Sequence, residues 1–253
     1  MSDRKTDMTC NKTENRSDSP ERLREILKTE YEQTGIEQIC DRMIRAVMPL
    51  LKETAARLDG EKERQVVQYI SSRIKTPESI FQKLIRKDRS PTLLKAVETF
   101  HDIAGIRIVC SFQDDVYRMV KEIRKLPDLK IIKVKDYIAH PKATGYRSIH
   151  MIAEVQSDDF LFPAGVSARG ETTRIKEADN ALPSGCMPIR MEIQVRSAAM
   201  NYWAMLDHQL SYKNSKMDAV KYQKMQKELK SFAVEIADID KKFLKIRKTI
   251  DRL

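Results

Sequence analysis

The sequence is poor in the residues that usually announce a metal or a dinucleotide. Its four cysteines, Cys10, Cys40, Cys110 and Cys186, include no C-x-x-C pair, and no histidine stands near them at ligand spacing. That speaks against structural zinc and for reduced thiols in a cytoplasmic protein. The chain has only seven glycines. Neither G-x-x-x-x-G-K-[ST] nor a glycine-rich dinucleotide fingerprint occurs, which excludes a P-loop ATPase and a dinucleotide fold. His101-Asp102 looks like the pair of a metal phosphohydrolase, but the four histidines are too scattered for that site. No apolar run approaches the roughly 20 residues that span a bilayer. The opening MSDRKTDMTCNKTENRSDSP is polar throughout and lacks the apolar core of a signal peptide.

What remains is a chain of 253 residues, 41% hydrophobic and 33% charged, with a net charge of +10. Such a balance favours anionic partners, nucleotides or RNA among them. Residues 1–20 read as a disordered tail. Two helical segments follow up to about Asp59, broken near Thr34-Gly35, and Pro49 should kink the second. Strands are expected at 66–75, 105–112, 129–135, 148–155 and 189–196, with a helix opened by the Thr76 cap and Pro77 and another over 114–126. The fold class is therefore α/β, a mixed sheet of about five strands flanked by N-terminal helices and a long C-terminal helix. Residues 156–188, rich in glycine, proline and charge, read as an irregular insertion. From Ser197 the chain reads as helix. Residues 21–213 form the main domain and 214–253 a C-terminal helix with a heptad seam at Met225, Leu229, Phe232, Ile236, Ile239, Phe243, Ile246, Ile250 and Leu253. The seam suits a second subunit or the chain's own residues 21–59.

Polar residues gather where these strands end. Asp102 precedes the second strand and Arg107 points off it. Arg73, Lys75, Lys83 and Arg86 cluster around Ser79. Glu192, Gln194 and Arg196 share one face of the last strand, opposite Met191, Ile193 and Val195. Several cations with two carboxylates suit a nucleoside triphosphate held through Mg²⁺, which uses one or two carboxylates plus phosphate oxygens and waters. In the loop DYIAHPKATGYRSIH, residues 136–150, Lys142 and Arg147 suggest an anion and Tyr146 a flat ring.

The strings RIKTPESIFQKLIRK, HDIAGIRIVC, VKDYIAHPKATGYRSIH and RMEIQVRSAAMNYWAMLDHQLSYK, in this order, resemble the small alarmone synthetases. These are stand-alone GTP pyrophosphokinases of the RelA/SpoT family, here of RelQ-like type. The resemblance spans residues 36–250 and implies a nucleotidyltransferase-like fold. It further implies transfer of pyrophosphate from ATP to the 3′-hydroxyl of GDP or GTP, with Mg²⁺. By position, Arg73 and Arg107 would sandwich adenine, and Lys75, Ser79, Lys83 and Arg86 would hold the ATP phosphates. Asp102 would bind Mg²⁺, and Glu192 would bind it or take the 3′-hydroxyl proton. Tyr146 would stack on guanine and Asn201 would help select it. Lys135, Lys142 and Arg147 would meet the acceptor's phosphates, with His150 and Gln194 in support. The resemblance also implies a homotetramer. Tyr69 and Ser71 stand where relatives regulated by pppGpp carry Phe and Thr, so an allosteric (p)ppGpp or single-stranded RNA site stays open. With no hydrolase, TGS or ACT region, synthesis without degradation is expected. A tRNA 3′-end pyrophosphokinase toxin of the same family and a non-catalytic RNA-binding regulator are the alternatives.

Overall fold

The computed structural model describes residues 19–157, 160–163, 186–212 and 218–252. The expected tail lies outside them but for its last two residues, as do Leu253 and the interior of the insertion. Helix α1 (Pro20–Gln33) starts where the Ser19 hydroxyl accepts from the Arg22 amide and Pro20 occupies the first turn. Gly35, at φ +62°, turns the chain into α2 (Ile36–Lys62), which continues through Pro49. There follow β1 (Val67–Ile74), α3 (Pro77–Arg86), α4 (Leu93–Thr99), β2 (Ala104–Cys110), α5 (Gln113–Ile123), β3 (Leu129–Asp136) and β4 (Ile149–Val155). The chain ends in β5 (Leu161–Pro163), β6 (Cys186–Pro188), β7 (Arg190–Ser197), α6 (Ala198–Tyr212) and α7 (Ala219–Ile250).

Five strands form one mixed sheet in the order β1-β2-β7-β4-β3. Only the central β2–β7 pair is parallel; the others run antiparallel. Alternation does the rest. Ile106, Ile108, Met151, Ile193 and Val195 fall on one face and are fully or almost fully buried, with α2 and α5 packed against those strands. Helix α2 contributes Ile36, Met43, Val47, Leu51 and Leu58 at helical spacing. The other face is left polar, and it carries the site.

Three local expectations need correction. Helix α4 was not foreseen. The stretch 156–188 is regular at both ends, where β5 and β6 pair antiparallel and Phe160 and Phe162 bury into the main core. Among the described residues, the C-terminal seam finds its main packing on α6 and α5 and not on residues 21–59. Its inward side is Leu229 and Ala233 against Trp203, then Asp240 accepting from the Ser197 hydroxyl at 2.6 Å, then Arg247 paired with Asp114. Polar anchors, not an apolar stripe, hold the distal half. Among the described residues, no helix is long and apolar enough to cross a membrane, and Cys40, Cys110 and Cys186 are free thiols.

Candidate active site

Strand register composes the site. Arg73 of β1 pairs with Gly105 of β2, and Gly105 with Glu192 of β7. One step along, Ser71, Arg107, Gln194, His150 and Lys135 align across all five strands. Residues two apart on a strand share a face, so both rows point to the same side. From these rows Arg73, Arg107 and Gln194 line a cleft of about 630 Å³, whose walls also include Tyr146 and Arg196. That volume is in the range of small-ligand sites.

At one end stands Asp102, just ahead of β2. Its Oδ1 accepts from the Lys83 ammonium at 2.6 Å and its Oδ2 lies 3.2 Å from that of Lys75. Burial alone would raise its pKa, but the two ammonium groups outweigh burial and hold it below the usual carboxylate range. Lys75 is itself pulled below the usual lysine range, chiefly by burial. Its backbone is fixed from two sides. The amide donates to Ile103 O at 2.8 Å, and the Tyr31 hydroxyl donates to its carbonyl at 3.2 Å. Lys83 comes from α3, which starts where the Thr76 hydroxyl accepts from the Ser79 amide. Ser79 is exposed in the first turn of that helix and Arg86 in its last.

Glu192 stands across from Asp102, and both line one smaller cavity of about 110 Å³ with Gly105, Arg73 and Arg107. Its Oε1 meets His150 Nδ1 at 2.7 Å, and its Oε2 accepts from the Gln194 amide at 2.6 Å. Burial raises its pKa, yet His150 and Gln194 bring it below the ordinary glutamate range. Two ionised carboxylates lining one cavity fit a hard divalent cation that keeps most of its ligands for phosphate oxygens and water.

On the other side of Glu192, the Tyr146 hydroxyl lies 2.7 Å from His150 Nε2 and accepts from Arg196 Nη2 at 2.7 Å. Lys142 Nζ sits over the rings of both Tyr137 and Tyr146, at 4.8 and 4.7 Å from their centres. Asn201 is buried in the first turn of α6, where its amide donates to the Tyr69 hydroxyl at 2.8 Å. Lys135 is exposed at the edge of the row. Arg147 is not brought to the cleft: its guanidinium donates to the Ile138 carbonyl at 2.9 Å, under the loop. It is one residue out of step with Tyr146 and His150 in an extended segment, so it faces the other way. Arg196, placed by its spacing on the same face as Glu192 and Gln194, was given no role by the sequence, yet it lines the cleft.

The loop that carries Lys142 and Tyr146 leans on α7. Gly145, at φ +92°, lies so close that a Cβ there would stand 2.4 Å from that of Ala233. Gly145→Ala meets both a forbidden backbone region and a collision. It is expected to raise the KM of a substrate that contacts this loop about tenfold or more while that of a substrate held by Lys75 and Lys83 stays near its unaltered value. Steady-state kinetics with each substrate varied in turn will check this, and equal effects on both would contradict it.

The sequence model described as "Region found in RelA / SpoT proteins" matches residues 72–217. The GTP pyrophosphokinase YwaC of Bacillus subtilis is 39% identical over 186 residues, 73% of this chain and 76% of its own length. The crystal structure of small alarmone synthetase 2 of Bacillus subtilis superposes with a TM-score of 0.62 at 31% identity, covering 84% of this chain and 97% of that one. Small alarmone synthetase 1 of the same organism, bound to its product pppGpp, gives 0.57 at 27% identity, over 83% and 97% of the two chains.

Proposed function

The chain belongs to the RelA/SpoT family and is a GTP pyrophosphokinase, and we propose how its cleft transfers pyrophosphate from ATP to the 3′-hydroxyl of GDP or GTP. What supports the reading is that Asp102 and Glu192 line one cavity, which shares Arg73, Arg107 and Gln194 with the cleft that Tyr146 lines. On one side, Arg73 and Arg107 offer planar guanidinium groups to adenine, and the Arg107 Nε is buried without a partner. Lys75 and Lys83, already drawn in by Asp102, are the nearest cations for the ATP phosphates, with Ser79 and Arg86 along the same helix. On the other side, Tyr146 offers its ring to guanine, Lys142 and Lys135 supply charge for the acceptor's phosphates, and Asn201 borders the base. Stacking requires one cation over the Tyr146 ring to yield its place. Lys142, on a flexible stem from an exposed loop, is the one free to move.

Glu192 takes the proton of the 3′-hydroxyl. The 3′-oxygen bonds to the β-phosphorus, the bond from that phosphorus to the oxygen bridging to the α-phosphate breaks, and AMP departs with that oxygen. The protein contributes positioning and charge, which is what phosphoryl-type transfer asks of it. Asp102 and Glu192 would hold Mg²⁺, whose contribution when bound is to neutralise charge on the transferring phosphates. Substrates of this kind place the protein in the cytoplasm.

The test is direct: purified protein with ATP labelled in its terminal phosphates and, separately, GDP, GTP or tRNA. Labelled ppGpp or pppGpp is expected. Label on tRNA, or no transfer at all, overturns the proposal.

A further inference from the structure

We propose that Arg196 is a positioning residue for the acceptor, tying the guanine-facing Tyr146 to Gln194 and through it to the attacking end at Glu192. This rests on the acceptor reading above and deepens it.

The argument starts from a closed ring of side chains. The two hydrogens of Arg196 Nη2 reach Tyr146 Oη at 2.7 Å and Gln194 Oε1 at 2.8 Å. Gln194 Nε2 donates to Glu192, Glu192 meets His150 Nδ1, and His150 Nε2 meets the Tyr146 hydroxyl. The directions are fixed when Glu192 is ionised and His150 is neutral. Its Oε1 must accept from His150 Nδ1–H, which leaves Nε2 as an acceptor for the Tyr146 proton. Tyr146 oxygen is then left to accept, and Arg196 supplies that donor. With its amide nitrogen turned toward Glu192, Gln194 presents its oxygen to Arg196.

The electrostatics show that Arg196 is more than a brace. It is 5% exposed, yet among the described residues no carboxylate lies within ion-pairing distance of it, and its buried Nε has no partner. Arg73 and Arg107 line the same cleft. Burial, then Arg196 and Arg73, pull Arg107 below the usual arginine range. A buried cation held only by neutral acceptors among like charges is costly, and an anion entering the cleft relieves that cost. A nucleotide supplies the anion. The Arg196 guanidinium also lies 5.1 Å from the centre of the Tyr146 ring, so it fixes both the tilt of that ring and its distance from Glu192.

The experiment compares unaltered protein with Arg196→Met, Arg196→Lys, Tyr146→Phe and the Arg196→Met/Tyr146→Phe double variant. Kinetics are read with ATP and GDP each varied, and GDP binding without ATP is read from the fluorescence of Trp203. That residue is the sole tryptophan, with its ring centre 6.5 Å from that of Tyr146. Arg196→Met is expected to raise the KM for GDP about tenfold and lower kcat by a similar factor, the scale of losing charge-assisted hydrogen bonds. The KM for ATP should hold, and Arg196→Lys should recover most of the loss. The double variant should lose little more GDP affinity than Arg196→Met alone, because both cut the same link. Should the methionine variant not fold, Tyr146→Phe cuts that link without removing the buried charge and must still weaken GDP binding selectively. Additive losses, equal losses for both nucleotides, or an unchanged GDP titration overturn the role of Arg196. No product from the unaltered protein overturns the reaction instead, while the GDP titration still decides on Arg196.

Discussion

Glu192→Gln is expected to lower turnover by about 10² or more, the usual scale for a positioned acid or base, and to leave the fold and GDP binding close to those of the unaltered protein. The separation follows from the ring around this carboxylate. A glutamine has the same shape and can still be satisfied on both sides. Its oxygen accepts from Gln194, and its amide nitrogen donates to His150 once that histidine takes the other tautomer. The Tyr146 oxygen, with two acceptor sites, then receives both His150 and Arg196. Only the Tyr146 proton loses its protein partner, and Tyr146 lines the open cleft, so no large loss of stability is expected. What is lost is the basic oxygen that takes the 3′-hydroxyl proton. Thermal unfolding, Trp203 fluorescence with GDP and single-turnover transfer of labelled phosphate give the three readings. Turnover near that of the unaltered protein would sink the assignment. A collapse of stability would make Glu192 a structural anchor instead.

The local part of this site was legible in the sequence, and the non-local part was not. Thr76-Pro77 announced α3, and with it the helical spacing that brings Lys83 onto Asp102. Alternation along β7 announced the shared face of Glu192, Gln194 and Arg196. The hydrogen-bonded ring could not be read that way. It needs β7 between β2 and β4 in a fixed register, and that register is set by pairings between residues far apart in the chain. Arg147 failed for a smaller reason. A cation beside an aromatic in a loop suggests an anion, but an extended backbone sends neighbours to opposite sides, and Arg147 fell on the wrong one. In α7 the heptad was legible, while its orientation was hidden. The inward face is fixed in part by Asp240 and Arg247, whose hydrogen bonds to Ser197 and Asp114 no apolar pattern records.

That orientation decides the last expected result, which concerns a second copy of the chain. Phe232, Ile239, Phe243, Ile246 and Ile250 are between 48% and 62% exposed on α7. Spaced in sevens, fours and threes, they form one stripe turned away from α5 and α6. Met225 and Ile236, by contrast, pack partly against the Trp203 cluster. A helix with such a stripe is expected to cover it, and a symmetric pairing of two α7 helices covers the stripe of both copies at once. Each Phe or Ile withdrawn from water contributes about 1.5–3 kcal/mol, so replacing two with charge removes the apolar gain and adds repulsion between copies. Ile239→Asp with Phe243→Asp is therefore expected to yield a smaller, folded species by light scattering, because both positions are exposed within the subunit. Ile236→Asp forces a charge against Trp203 and should instead lower thermal stability, with no discrete smaller form. An unchanged mass for the double variant would show that the stripe joins no subunits. If that variant unfolded instead, α7 would be packed within the chain by a face other than the one described.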